Sequence, residues 1–272
     1  MSEYKLIVFD MDGTLLNSRK RVSDENLRAI REAVSAGKTV AFGTGRALVE
    51  MEDFFPLIPE IRYAVLCSGA GIYDIRERRY LKLSPLSPEI VRGIAAVSRH
   101  RDMMIQVVTP YADTVSYRLL EQMERYHMAV YTDMYRRVMT GVADAADFAD
   151  ETDEPVLKID LYHAEPDTRP LTLEEVRVFP VETVYSEVSS VECSPEGVNK
   201  GSGLTDLCAL LGISPSEAIA VGDAENDIPM IRTAGLGVAM GNAKPQVLEA
   251  ADATAPDCDQ DGCAWVIRNY LL

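Results

Sequence analysis

The 272-residue chain predicts an α/β fold, a doubly wound and mostly parallel sheet with an α+β domain inserted into it. Three observations carry that prediction. Short, bulky apolar runs at Leu6 to Phe9, Thr39 to Phe42, Ala64 to Leu66 and Ala218 to Val221 have the composition of strands buried on both faces. Helical patterns separate them, and a strand, helix, strand order implies parallel pairing. Between residues 84 and 187 the rhythm changes to a mixture of hairpin-like and helical pieces. Residues 1–83 and 188–272 therefore form one domain, and 84–187 the insert.

The elements follow in order. Leu6–Phe9 runs directly into D-M-D-G turn chemistry. A helix follows, with Ser23 as N-cap, Leu27, Ile30 and Val34 at helical spacing, and Gly37 as its stop. The strand Thr39–Phe42 leads into G-T-G-R, and a helix through Leu48, Met51 and Phe55 ends at Pro56. Ala64–Leu66 leads into C-S-G-A-G. The insert reads as a helix (87–101), a strand (103–108), a Tyr- and Arg-rich stretch, a strand (156–161), a helix (171–179) and a strand (183–191). Its acidic segment Asp144 to Pro155 is a solvated helix face or loop with no assigned role. The α/β rhythm then resumes. A helix through Leu204, Leu207 and Leu211 stops at Gly212, and the strand 218–221 leads into G-D-A-E-N-D-I-P-M. A strand at 236–240, a helix at 246–250 and an amphipathic helix at 264–272 complete the chain, with no internal repeat.

Composition limits the function. Hydrophobic residues make up 47% of the chain, enough for a substantial core. A net charge of −16 repels nucleic acid and anionic membranes, so an anionic substrate must meet local positive charge or a metal. The five cysteines form no C-x-x-C pair and the three histidines no zinc spacing, as for reduced thiols in a cytoplasmic protein. M-S-E-Y-K does not have the pattern of a leader, and no apolar run approaches a membrane span. The expected partner is a small molecule, with no nucleic acid and no membrane, for a monomer or homodimer.

Polar groups gather at the ends of the predicted strands: Asp10 and Asp12; Thr44, Gly45 and Arg46; Ser68 and Gly69; and Asp223 through Asp227. In an open α/β sheet these ends share the ligand-binding edge. Alone, Asp12-Gly13 is ordinary turn chemistry, and D-x-D lacks calcium-loop spacing. The second acidic cluster changes that reading. Three or four converging aspartates resist ionising unless positive charge is supplied. Oxygen ligands without histidine or thiolate favour Mg2+, which also accepts phosphate oxygens.

D-M-D-G-T-L, G-T-G-R, the lysine of G-V-N-K-G-S and G-D-A-E-N-D-I-P-M stand in the order of the four motifs of the haloacid dehalogenase superfamily of phosphatases, which the chain resembles over essentially its whole length. The insert and M-G-N-A-K-P-Q-V-L-E-A-A-D resemble the Cof-type branch (subfamily IIB), with its α+β cap. The resemblance implies a Rossmann-like core. It implies Asp10 as the nucleophile that becomes an aspartyl phosphate, and Asp12 as the acid and base for leaving group and water. Thr44, Gly45 and the Met11 amide would hold phosphoryl oxygens, with the Met11 side chain only packing. Lys200 would neutralise nucleophile and phosphoryl group. Asp10, the Asp12 carbonyl and Asp223 would ligate Mg2+, Asn226 would contact phosphate or metal-bound water, and Asp227 would orient Lys200 or those waters. Arg46 reads equally as a substrate contact or a cap of the sheet edge.

Ser68, Ala224 and Asn199 depart from the asparagine, glycine and serine common in the family, without removing a catalytic group. The implied activity is Mg2+-dependent hydrolysis of small phosphorylated metabolites, sugar phosphates first. The alternatives are a phosphomutase and a phosphate-ligand sensor without turnover. Tyr117, Arg118, Arg136 and Arg137 are candidate substrate contacts in the insert, although each also reads as solvated surface.

Overall fold

The computed structural model describes residues 4–272, so Met1–Glu3, the start of the segment read as having no leader, lie outside the described residues. The chain first lays down β1 (Leu6–Phe9), β2 (Thr39–Gly43), β3 (Tyr63–Leu66), β4 (Gly71–Asp74) and β5 (Arg79–Leu83). It then forms β6 (Met103–Val108), β7 (Asp113–Ser116), β8 (Thr140–Val142), β9 (Lys158–His163), β10 (Val181–Val184) and β11 (Ser190–Pro195). It returns with β12 (Ala218–Gly222), β13 (Leu236–Ala239) and β14 (Ala253–Thr254). No helix among the described residues is long and apolar enough to cross a membrane.

Two compact units result. Among the described residues the first comprises 4–45, 53–82 and 199–272, and the second 46–52 and 83–198. The sheet of the first has the order β14-β13-β12-β1-β2-β3-β4-β5. It is parallel from β14 to β3, and β4 turns back antiparallel on β3, which the strand pattern did not anticipate. Every β1 side chain is buried. Leu6 and Val8 pack with Ala41, Ala220, Leu204, Leu207 and Met230, in a layer built with the helices Lys200–Leu211 and Ile228–Thr233. Sheet faces covered in this way explain why β1 and β12 read as continuous apolar runs. The expected doubly wound α/β class is borne out.

The helix at Asp24–Ser35 starts as expected, with the Ser23 hydroxyl accepting from the Asn26 amide at 3.1 Å. The expected helix through Phe55 is shorter. Its regular part is Leu48–Met51, followed by a 3-10 turn at Phe55–Leu57 that contains Pro56.

The second unit is a six-stranded sheet, β10-β11-β9-β6-β7-β8, antiparallel except for β7 with β8. Alternation along β6 and β9 divides its faces. Ile105, Val107, Ile159 and Leu161 pack with residues of the helices Pro88–Ser98, Ala145–Glu151 and Arg169–Val176. Met104 and Tyr162 lie in another cluster with Leu119, Met123, Tyr126, Met128 and Tyr135. The acidic segment contains the helix Ala145–Glu151, whose Ala145, Ala146 and Ala149 are buried, so it is not merely a solvated loop.

The strand expected at 183–191 is two strands, β10 and β11. The second unit therefore continues to residue 198 rather than 187, because β11 pairs with both β9 and β10. Residues 46–52 also belong to it although they directly follow G-T-G.

Candidate active site

The register of three parallel strands assembles the site. Phe9 pairs with Phe42 of β2 and with Val221 of β12, so Asp10, Thr44 and Asp223 leave the sheet at one edge. Backbone bonds hold them there: Asp10 N–H donates to Val221 O at 3.0 Å, Thr44 N–H to Val65 O at 2.9 Å, and Ser68 N–H to Thr44 O at 3.0 Å. Asp10 is buried, with 6% of its surface exposed, and Thr44 is buried beside the β3 end.

Lys200 is the first residue of its helix and is fully enclosed. Its Nζ donates to Asp10 Oδ1 and to Asp227 Oδ1, each at 2.6 Å. Asn199 is the N-cap, its side chain accepting from the Gly201 and Ser202 amides at 2.9 and 3.1 Å. Asparagine caps as well as the serine it replaces, so this departure preserves the Lys200 helix. The helix approaches the loop after β3 so closely that a Cβ on Gly69, at φ +108°, would lie 2.2 Å from Asn199 O. In that loop Cys67 and Ser68 both have positive φ, and Ser68 stands where asparagine, more tolerant of this conformation, is common.

Asp227 is committed to this framework. Its second oxygen accepts from the Asp223 and Ala224 amides, both at 2.9 Å. Asp223 Oδ1 accepts from the Thr14 hydroxyl at 2.7 Å. Gly13, at φ +82°, makes room for this carboxylate, because a Cβ there would lie 2.5 Å from Asp223 Oδ2. Asn242, from the M-G-N-A-K-P segment, closes the loop by donating to Gly13 O at 2.8 Å.

The electrostatics are those of a site short of positive charge. Burial, and then the Asp227 charge, push Asp10 up to about 8 against the opposing effect of Lys200. Burial pushes Asp223 up to about 6. Burial alone would lower the Lys200 ammonium, but Asp10 and Asp227 outweigh it and raise it. Asp12 is different: about a third of its side chain is exposed, and Lys20 Nζ lies 2.6 Å from its Oδ1. One aspartate is thus sunk beside a buried lysine, and the other, two residues on, faces water.

Oxygens of Asp10, Asp223 and Asp227 lie within 4.8 Å of one another. Near them, the Asn226 side-chain oxygen is buried without a hydrogen-bond donor among the described residues. Converging hard oxygens, raised carboxyl pKa values and an unsatisfied acceptor that metal-bound water would satisfy all fit a divalent cation such as Mg2+.

The model of the haloacid dehalogenase-like hydrolase family matches residues 7–267. The chain belongs to that family. This haloacid dehalogenase-like hydrolase is 31% identical over 276 residues to a 5-amino-6-(5-phospho-D-ribitylamino)uracil phosphatase of Bacillus subtilis, covering 99% of this chain and 97% of that one. It is 29% identical to an HMP-PP phosphatase of Serratia proteamaculans, covering 98% and 96% of the two chains. A solved haloacid dehalogenase-like hydrolase from B. subtilis superposes with a TM-score of 0.86 at 26% identity, over 97% of this chain and 99% of the other. One from Bacteroides thetaiotaomicron gives 0.82 at 27% identity, over 97% and 98%.

In this hydrolase Asp10, Thr44, Lys200, Asp223 and Asp227 meet at one sheet edge, while Met11 is core and Arg46 lies in the second unit, with Nη1 3.6 Å from Met134 Sδ. Sequence reasoning assigned nothing to Thr14, Lys20 or Asn242. Thr14 stands inside the quoted D-M-D-G-T-L, and its signal was a hydroxyl two residues after Asp12. Asn242 lay in a quoted motif without a role, and nothing in the local pattern marked Lys20.

Proposed function

We propose that the chain is a Mg2+-dependent phosphoric monoester hydrolase that acts on small phosphorylated metabolites, sugar phosphates first, through an aspartyl phosphate on Asp10. The observation that carries this reading is the contrast between Asp10, buried 2.6 Å from Lys200, and Asp12, part-exposed two residues away. A nucleophile must be held and charge-balanced, whereas an acid and base must exchange protons with alcohol and water. The named relatives support the class: the Bacillus enzyme is named for a phosphorylated ribitylaminouracil and the Serratia enzyme for HMP-PP.

A carboxylate oxygen of Asp10 attacks phosphorus and forms the Asp10–phosphorus bond as the bond to the ester oxygen breaks. The Asp12 carboxyl gives its proton to the departing alkoxide. Asp12, now a carboxylate, takes a proton from the water that attacks the aspartyl phosphate, and the acyl–phosphate bond breaks to release inorganic phosphate. Lys200 balances the charge on Asp10 and on the transferring group, and Thr44 and the Met11 and Gly45 amides hold its oxygens. Asp10, the Asp12 carbonyl and Asp223 would hold Mg2+, which supplies electrostatic stabilisation of the transferring phosphoryl oxygens. The five cysteines are buried free thiols, in keeping with a cytoplasmic setting for this reading.

The test is phosphate release from a broad panel of phosphomonoesters with Mg2+, with Asp10→Asn as control and 31P NMR of the products. Release that depends on Asp10 and Mg2+ is expected. An isomeric sugar phosphate with little inorganic phosphate would make the protein a mutase. No turnover on the whole panel, with beryllium fluoride still binding at Asp10, would make it a sensor.

A further inference from the structure

The segment that follows the nucleophile brings a second basic side chain to the sheet edge. Leu15 N–H donates to Asp10 O at 3.2 Å and Leu16 N–H to Met11 O at 2.8 Å, so the chain folds back on the aspartate turn, and Asp12 and Leu16 pair as an isolated β-bridge. Leu15 and Leu16 are wholly buried and pin this return. The polar run N-S-R-K-R then forms a turn around Asn17. Asn17 Oδ1 accepts from the Arg19 and Arg21 amides at 3.0 and 3.1 Å, its N–H donates to Arg21 O at 3.0 Å, and its carbonyl accepts from the Lys20 amide at 2.8 Å. Ser18 N–H donates to Asp259 Oδ1 at 2.9 Å, which ties the turn to a distant loop of the same unit.

Lys20 is the residue that this turn presents. It lies at φ +56°, in the left-handed region that favours glycine, and its Nζ donates to Asp12 Oδ1 at 2.6 Å. With 48% and 31% of their side chains exposed, the two groups form the kind of ion pair that contributes little to folding stability. A lysine is thus held in a backbone conformation it rarely adopts, for a contact that does little for the fold. What the contact does is geometric. A bond to one oxygen restrains rotation of the carboxylate plane, and proton transfer requires that plane to face its partner. In the proposed cycle Asp12 is a carboxylate once it has protonated the alcohol, and an ammonium pairs with that form.

We propose that Lys20 is a positioning residue for the second half of the reaction, orienting the Asp12 carboxylate toward the water that attacks the aspartyl phosphate. The inference rests on the phosphatase reading. In that step the water oxygen forms a bond to phosphorus and the bond between phosphorus and the Asp10 oxygen breaks. The electron pair of the broken bond returns to the Asp10 carboxylate, and the proton of the water passes to Asp12. Lys20 neither gains nor loses a proton; it acts only through Asp12.

The test uses the full chain with Mg2+ and p-nitrophenyl phosphate or acetyl phosphate, whose leaving groups depart without a proton, so that formation of the aspartyl phosphate does not call on Asp12. The best ester of the panel takes their place if neither is turned over. Lys20→Met removes the ammonium and keeps the stem, and Lys20→Gly removes it while relieving the backbone, so neither should lower the urea midpoint. In both, kcat should fall at least about fivefold as hydrolysis of the aspartyl phosphate slows, while kcat/KM, set by its formation, changes less than about twofold, so that KM falls with kcat. Acid-quenched variants should carry more phosphate per chain than the wild type at saturating substrate. Lost folded protein lowers kcat and kcat/KM together and leaves KM unchanged, so a merely structural role does not give this split. Unchanged kcat in Lys20→Met, equal falls in kcat and kcat/KM, or a fall confined to Lys20→Gly overturns the role of Lys20 and leaves the phosphatase reading standing. Absence of release by the wild type from every ester overturns that reading, and the role of Lys20 with it.

Discussion

Lys200 Nζ stands 2.6 Å from Asp10 Oδ1 across 190 residues of sequence, and the same ammonium reaches Asp227 at 2.6 Å. Removing one member of a buried charge group leaves the others uncompensated and costs roughly 3–5 kcal/mol. Lys200→Met should lose stability of that order in urea denaturation near neutral pH, together with all phosphate release. A loss below about 1 kcal/mol would mean that water, not Lys200, satisfies these carboxylates.

Stability without metal should fall as pH rises. Asp10, pushed up to about 8, and Asp223, pushed up to about 6, both start from an ordinary value of 3.8. Between those values the folded state keeps protons that the unfolded chain has released, so each step up in pH favours unfolding. Lys200, raised in the folded state, adds stability that is lost only as pH rises above its ordinary value of 10.5, outside this window. In EDTA the thermal midpoint should therefore be higher near about pH 5.5 than near about pH 8 for this contribution, and Asp223→Asn should reduce the difference while Asp10 keeps the larger part of it. Added Mg2+ competes with protons for the same oxygens, so it should raise the midpoint more at the higher pH. A pH-independent effect of Mg2+ would place the ion elsewhere.

Thr14 donates to Asp223 at 2.7 Å from a fully buried position. Thr14→Val keeps the shape and removes the donor. Groups that orient a metal ligand typically contribute about 10- to 100-fold in affinity. The Mg2+ concentration for half-maximal activity should rise by about that factor, with substrate KM at saturating Mg2+ changed little. Unchanged Mg2+ dependence would mean that Asp223 is positioned without Thr14.

Gly69→Ala tests the close approach that seats the Lys200 helix. The new Cβ would meet Asn199 O at 2.2 Å, and the backbone is at φ +108°, a conformation that L side chains rarely adopt. A loss of roughly 2–4 kcal/mol is expected from strain and overpacking, seen as a lower urea midpoint with an unchanged slope. Gly37→Ala, at φ +80° in open space, should cost less, because only the backbone term remains.

The sequence by itself determined the core strands β1, β2, β3, β12 and β13, their parallel pairing and the identity of the acidic and basic groups at their ends. These features are local: an apolar run on a doubly covered strand, a Ser23 cap, and small or polar residues after each strand show in short windows of sequence. Resemblance to ordered motifs supplied the roles that local pattern could not.

Tertiary structure alone decided the partnerships. Thr14 with Asp223 and Asn242 with Gly13 are contacts between distant segments. A hydroxyl or amide has the same local sequence whether it points at a carboxylate or at water. The boundary of the second unit was hidden for a related reason. The stretch 183–191 reads as a single strand until β10 and β11 pair with each other and β11 also with β9, so the pairing partner, not composition, assigns it to its sheet. The opposed Asp160 and Glu192 were equally invisible, because only the register of β9 against β11 places two charges in one buried row.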